Sequence, residues 1–288
     1  KVVIRILKRN EETLNRRGIG IPAVEDAKID TLLGLTSGVI MIVGPTGSGK
    51  SSTMYTLIRE LLSDRTNLIT LEDPVEYHIK GATQVQINEK VGLTFASGLR
   101  SVLRQDPDII MVGEIRDMET AVIAINASLT GHLVFSTLHT NDAPSAVTRL
   151  IDMGVQPFLV ASAVKAIMAQ RLLRRVCKNC AEPAKPTPDE IRLLGLDEKF
   201  MDTATLLKGR GCPACGGTGY KGRLGIYEIF LVGEEIQHLI YTKCSADVIR
   251  DAARKGGMMT LREDGLRKAA AGTTTLSEVI ATTIGDAE

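Results

Sequence analysis

An α/β fold, with a mainly parallel sheet flanked by helices, is predicted by three features of the sequence. Short apolar runs recur along the first half, helical stretches alternate with them, and a glycine-rich turn joins the first run to the first long helix. The run GVIMIV at 38–43 is continuously apolar, as expected of a strand covered on both faces. The turn follows, and residues 51–62 have helical spacing. The alternation continues with a strand over 67–71, a helix over 95–103, a strand over 109–112, a helix over 119–129 and a strand over 133–136. Asp142, with Pro144 close behind, opens another helix. Residues 158–175 are apolar on nearly every side until Arg171, Arg174 and Arg175, the pattern of a core helix with cations at its C-terminal end.

At Cys177 the composition changes. From there to Arg223 the chain is rich in Gly, Pro and Lys, with one short helix opened by the capping box Thr187-x-x-Glu190 and Pro188 in its first turn. Residues 225–232 return to a strand pattern. The rest reads as helices over 245–253, over 261–271 behind Thr260-x-x-Glu263, and over 276–283 behind Thr275-x-x-Glu278. The expected organisation is the last strand of a preceding domain at 1–9, an α/β core at 10–176, a cysteine-bearing subdomain at 177–222, and a closing strand with a C-terminal helical subdomain at 223–288.

Composition narrows the function classes. The chain has 288 residues, 44% hydrophobic and 24% charged, the balance of a soluble globular protein. Lys plus Arg (35) nearly equals Asp plus Glu (34), so no global field draws the chain onto nucleic acid or an acidic membrane. Five Phe, five Tyr and no Trp leave little for base-stacking platforms. No apolar run approaches the roughly 18 residues of a membrane span. The start, Lys1-Val2-Val3-Ile4-Arg5, has neither an initiator Met nor a signal-peptide pattern and reads as the middle of a strand, so the chain is expected to belong to something longer.

The glycine-rich turn carries the chemistry. Gly44, Pro45, Thr46, Gly47, Ser48, Gly49, Lys50 and Ser51 match G-x-x-x-x-G-K-[ST] between a predicted strand and a predicted helix, the context this phosphate-binding loop requires. Its backbone N–H groups and the helix N-terminus, which includes Ser52, suit the phosphates of a nucleoside triphosphate such as ATP. Lys50 can reach the β- and γ-phosphates, and the Ser51 hydroxyl can ligand Mg²⁺. Asp108-Ile-Ile-Met-Val-Gly-Glu114 is a buried strand ending in an acid, where such proteins hold Mg²⁺ or its water; Gly113 replaces the usual Asp, leaving Glu114 as the carboxylate at the tip. Glu72-Asp73-Pro74-Val75-Glu76 ends the preceding strand. Strand ends of a parallel sheet converge on one edge, so these acids should face the phosphates, unless Glu72 or Asp73 serves as a helix cap or solvated turn. A glutamate there can orient the attacking water of hydrolysis. His132 and His139 bracket the next strand and are candidates for sensing the γ-phosphate or for a contact between subunits; either is as readily structural.

Cys177-x-x-Cys180 and Cys212-x-x-Cys215 lie 31 residues apart (181–211). Two such pairs form a tetrahedral Cys₄ site suited to structural Zn²⁺, with redox-active or simply reduced thiols as the alternative. The gap exceeds the usual ribbon spacing of about 15–20, so the segment between must loop out with its own short helix. Cys244 stands alone and reads as a small buried hydrophobe.

The motifs together resemble the secretion traffic ATPases that power type II secretion and type IV pilus assembly. Residues 44–51, Leu71-Glu-Asp-Pro-Val-Glu-Tyr77, the run 103–117 and the run 129–141 look like that family's Walker A, Asp, Walker B and His boxes, in its order. The likeness extends to Gly222-Arg-Leu-Gly-Ile-Tyr-Glu228 and Thr260-Leu-Arg-Glu-Asp-Gly265. It implies a RecA-like core in a cytoplasmic hexamer that does mechanical work on an inner-membrane platform. It also implies that Glu76 is the catalytic glutamate and Glu114 the Mg²⁺-side acid. In the family, arginines of a preceding domain help bind phosphate, which singles out Arg5. Assembly and export members carry the tetracysteine insert, whereas retraction members lack it. The competing class is a hexameric RecA-like nucleic-acid motor; it predicts a basic channel or stacking aromatics, and the composition argues against these. A nucleotide-binding scaffold with little turnover is the third reading.

Overall fold

A computed structural model describes residues 14–284; the expected strand at the start of the chain and Arg5 lie outside the described residues. In chain order the strands are β1 Gly38–Val43, β2 Leu68–Glu72, β3 Ala82–Gln86, β4 Ile109–Val112, β5 Leu133–Leu138, β6 Val164–Val176, β7 Ala181–Pro183, β8 Leu207–Gly209 and β9 Tyr220–Leu231. Seven form one sheet in the order β3-β2-β4-β5-β1-β6-β9, and β7 and β8 pair with each other. All pairings in the large sheet are parallel except that of β6 with β9.

The continuous apolar runs are explained by cover on both faces. In β1, Val39, Met41 and Val43 point into one core and Ile40 and Ile42 into the other, as the period of two along a strand dictates. The Ile40 side is closed by α1 Arg16–Ile19, α2 Asp26–Leu33 and α3 Lys50–Leu61. The Val39 side is closed by α4 Phe95–Val102, α5 Met118–Leu129, α6 Pro144–Asp152 and α7 Pro157–Ala163. Ile58 and Leu99, both wholly buried, show the scale of the gain, since each such side chain contributes about 1.5–3 kcal/mol. α8 Pro188–Leu194, with its Thr187/Glu190 capping box formed, and α9 Glu198–Thr203 lie in the insert. α10 Glu234–Tyr241, α11 Ala246–Lys255, α12 Leu261–Ala270 and α13 Leu276–Thr283 extend the Val39-side core. No helix among the described residues is long and apolar enough to cross a membrane.

The single long helix expected over 158–175 does not form. α7 stops at Ala163, Val164 turns extended (φ −73°, ψ 124°), and the rest is β6. An unbroken apolar run suits a strand covered on both faces as well as a buried helix, and periodicity alone does not separate them. Pairing decides: β6 fills the free edge of β1 from Val39↔Val164 to Val43↔Ala169, and β9 then closes β6. Arg171, Arg174 and Arg175 are therefore strand residues rather than helix-terminal cations. Several elements, α1, α2, β3, α9, α10 and the β7–β8 pair, fall where the sequence pattern suggested none.

Candidate functional site

The turn after β1 presses closely on β6. A Cβ on Gly44 would stand 2.5 Å from the Gln170 carbonyl oxygen, and one on Gly49 2.9 Å from Gln170 Nε2; both residues also have positive φ, 149° and 90°. Gly49 is the N-cap of α3 and has no side chain to cap the first turn. Those amides, at the positive end of the helix, are left for an anion. Ser48 Oγ is buried without a hydrogen-bond partner, a donor that a phosphate oxygen would satisfy. Lys50 Nζ donates to the carbonyls of Gly44 (2.9 Å) and Pro45 (3.0 Å), so its ammonium lies folded over the loop. Burial pushes the Lys50 pKa down, and the Glu114 carboxylate opposes this.

The ends of β2, β4 and β5 meet the loop on one sheet edge. Glu114 follows β4; its carboxylate accepts from Arg116 Nη2 at 2.7 Å and lies 3.5 Å from His139 Nε2. Three bonds hold that tip: Gly113 N donates to Leu71 O, Ile115 N to Thr137 O, and Thr137 Oγ1 to Gly113 O, at 2.7–3.0 Å. A Cβ on Gly113 would sit 3.0 Å from Leu71 O, so glycine spares the strand end a tight contact. Glu72 is turned inward and 3% exposed, accepting from Tyr55, from Thr70 Oγ1 (2.6 Å) and from Gln84 Nε2 (3.0 Å). It is neither a cap nor a solvated turn but a fully engaged buried carboxylate, which leaves Asp73, Glu76 and Glu114 as the acids of this edge that line the cleft with it. Burial, then Glu72, pushes the Tyr55 phenol pKa well up.

Glu76, Glu114, His139 and the P-loop line one cleft of about 1210 Å³, large enough for a nucleotide. His132 does not reach it. It precedes β5 at the opposite end of the strand, where its Nδ1 bonds the Ala127 carbonyl of α5 (2.8 Å). The other wall of the cleft comes from β6, β9 and α1, through Gln170, Arg175, Arg223 and Arg17. Sequence reasoning missed this wall because it read residues 158–175 as a helix. Gln170, a polar residue inside the apolar run, was the available signal. Arg175 Nε is buried there without a hydrogen-bond partner.

The four paired cysteines meet where β6 ends and β9 begins, with their sulfurs within 4.8 Å of one another. Sγ–Sγ distances of 3.9 Å (Cys177 to Cys212), 3.9 Å (Cys180 to Cys215) and 3.7 Å (Cys212 to Cys215) match the edge of about 3.8 Å expected of a tetrahedron with Zn–S bonds of about 2.3 Å. The N–H groups of Cys212 and Gly219 donate to Cys215 Sγ at 3.2 Å each. Burial opposes ionisation of Cys215, but these N–H groups and the neighbouring thiols outweigh it and hold the thiol at about 6; burial pushes Cys180 up to about 12. The residues present fit a thiolate-bound metal. Cys244 is partly buried against the core, as a small hydrophobe.

Comparison with known proteins places this architecture. The profile of the type II/IV secretion system protein family matches residues 1–281. The type IV pilus assembly ATPase PilB of Thermus thermophilus is 51% identical over 284 residues, 99% of this chain and 32% of that protein. The type II secretion system ATPase E of Vibrio cholerae is 45% identical over 283 residues, 98% of this chain and 56% of that protein. The chain thus spans between a third and just over half of these relatives. Among solved structures, the pilus retraction motor PilT with bound ADP superposes with a TM-score of 0.69 at 27% identity, covering 93% of this chain and 66% of that one. The chain belongs to the type II/IV secretion system protein family.

Proposed function

We propose that the chain is the ATP-hydrolysing part of a cytoplasmic hexameric motor that drives type IV pilus assembly or type II secretion through an inner-membrane platform protein. One observation carries the reading: a complete P-loop shares a single cleft with Glu76, Glu114 and His139. The relatives named for pilus assembly and type II secretion support it, as does the ADP-bound retraction motor. Lys50 exchanges its two loop carbonyls for the β- and γ-phosphates, whose negative charge offsets the burial that disfavours its ammonium. The amides of the first turn of α3 take the remaining phosphate charge. Glu76 orients the attacking water and accepts its proton. Ser51 and Glu114 would hold Mg²⁺, which neutralises phosphate charge when bound. His139, beside Glu114, registers departure of the γ-phosphate. The four cysteines hold a structural zinc.

The test is steady-state ATP hydrolysis against protein concentration, on metal-replete protein, with and without single-stranded DNA. Activity per subunit that rises with concentration and ignores DNA supports a motor assembled through subunit junctions. Strong stimulation by DNA would replace this reading with a nucleic-acid motor.

A further inference from the structure

Two sequence motifs that the cleft chemistry leaves unused, at 222–228 and 260–265, meet around one buried phenol. Tyr227 of β9 is 1% exposed. Its hydroxyl donates to the Ile19 carbonyl at 3.0 Å and lies 3.2 Å from Thr53 Oγ1. A phenol has one proton, so with that proton on Ile19 the Thr53 hydroxyl is the donor. Thr53 stands two residues beyond Ser51 on the P-loop helix α3, and Ile19 ends α1, whose Arg17, Gly18 and Ile19 line the opposite wall of the cleft. One hydroxyl therefore joins both walls.

The strand that carries the phenol is itself clamped. Tyr227 N donates to Asp264 Oδ2 at 2.9 Å, and Lys268 Nζ donates to the same oxygen (2.5 Å) and to the Gly225 carbonyl (2.6 Å). Asp264 is wholly buried on α12, and the Lys268 ammonium stands 5.3 Å from the centre of the Tyr227 ring. A Cβ on Gly225 would lie 2.5 Å from the Tyr227 hydroxyl oxygen, so the glycine two residues earlier is what lets the ring lie flat along the strand. Next along β9, Glu228 Oε1 accepts from Ala143 N at 2.8 Å, just before α6. Burial raises the Tyr227 pKa, so the phenol stays neutral and keeps its proton for Ile19.

We propose that Tyr227 is a positioning residue of the nucleotide cleft: its hydroxyl sets the spacing between the P-loop helix and the α1 wall, and the Asp264–Lys268 clamp references that spacing to the C-terminal helices. The inference rests on the reading of the cleft as a nucleotide site. It assigns a role to Gly225, Tyr227, Asp264 and Lys268, none of which touches phosphate.

The test is calorimetric titration of the 288-residue chain with Mg-ATP, in the parent, Y227F, T53V and the double variant, with the melting temperature of each measured without nucleotide. Removing one hydrogen-bonding hydroxyl that holds the walls should weaken ATP binding about tenfold in Y227F, with T53V in the same direction. The double variant should bind no more weakly than Y227F, because both remove one tie. A lowered melting temperature with parental affinity would make Tyr227 merely structural and overturn the proposal; fully additive losses would also overturn it. Should Y227F fail to fold, T53V, which leaves the ring in place, decides alone. A parent that binds no nucleotide would instead overturn the nucleotide reading itself, a distinct outcome visible before any variant is made.

Discussion

Replacing Cys212 with Ser tests whether the cysteine cluster is a metal site on which its own segment depends. Between 181 and 218 Leu194, 9% exposed, is the one hydrophobic side chain that is buried. Burying one such side chain contributes about 1.5–3 kcal/mol, whereas ordering the backbone costs about 1–2 kcal/mol for every residue. The β7–β8 pair adds three residues on each side. Contacts of Leu196, Phe200 and Leu206 with the main core help, but only at half burial. A metal held by the four thiolates would then be the dominant local stabiliser, since structural zinc contributes on the order of 10 kcal/mol or more in small domains. Serine offers a poorer ligand at one corner of a tetrahedron whose other three corners are Cys177, Cys180 and Cys215. The expected outcome is loss of stoichiometric zinc by mass spectrometry. Amide exchange across 178–218 should quicken by about a hundredfold, equivalent to roughly 2.7 kcal/mol of local stability. The strands β1, β4 and β5 should keep the parent's protection. Zinc retained one-for-one in C212S would remove the Cys₄ assignment. A parent chain with no zinc and a protected insert would remove it as decisively.

Three further outcomes follow from the same geometry. Glu76→Gln should bind ATP with the parent's affinity while hydrolysis falls at least about a hundredfold, the usual scale for removing a general base; hydrolysis at the parental rate would assign the water to another group. Gly49→Ala should weaken ATP binding by about tenfold on titration, because a side chain at a φ of 90° costs about 1–2 kcal/mol and its Cβ would displace the Gln170 amide, and retained affinity would show that the loop has slack. Glu278 joins α13 to β6: burial opposes its charge, but Arg174 Nη2 (2.5 Å) and the Arg174 N–H (3.0 Å) outweigh this and hold its pKa below the ordinary 4.5. A depressed carboxylate contributes stability that is complete above pH 4.5 and is lost as pH falls through the lower folded value. Glu278→Gln should therefore cost about 1 kcal/mol at pH 7, kept small because the Arg174 side chain is 56% exposed. The difference from the parent should shrink below pH 4.5 in urea melts, and a difference that grows with acidity would reverse the sign of the argument.

What the sequence disclosed about the site divides along the sheet. On one side of β1 the chemistry depends on residues adjacent in the chain. The P-loop is a contiguous turn, and Glu76, Glu114 and His139 each follow the end of a strand whose apolar run marks where it stops. A parallel sheet brings such ends together without further information. Helix starts were legible for the same reason: the Thr187/Glu190 and Thr260/Glu263 boxes are closed by residues three apart. His132 shows the limit of the argument, for it belongs to the same short run as His139, but six residues of strand carry the two to opposite edges.

On the other side of β1 nothing is local. Arg174 lies opposite Arg223 in the β6–β9 ladder, 49 positions along the chain, and Tyr227 reaches back 174 positions to Thr53 and 208 to Ile19. Whether residues 164–176 are helix or strand is settled by the unfilled edge of β1 and by β9, not by their own periodicity. Once that run was read as a helix, Gln170, Arg175 and Arg223 could not be placed at the cleft. The phosphate end of the cleft is thus built from local turns, and the opposite wall from long-range pairing. That difference has a mechanical consequence. The β6 part of that wall is paired to β1 from Val39 to Val43 and packs on Gly44 and Gly49, so a displacement of β6 and β9 is passed directly to the phosphate loop. In a cleft so divided, the contacts that bridge the halves, Thr53 to Tyr227 among them, are where a bound nucleotide would be coupled to the arrangement of the C-terminal helices.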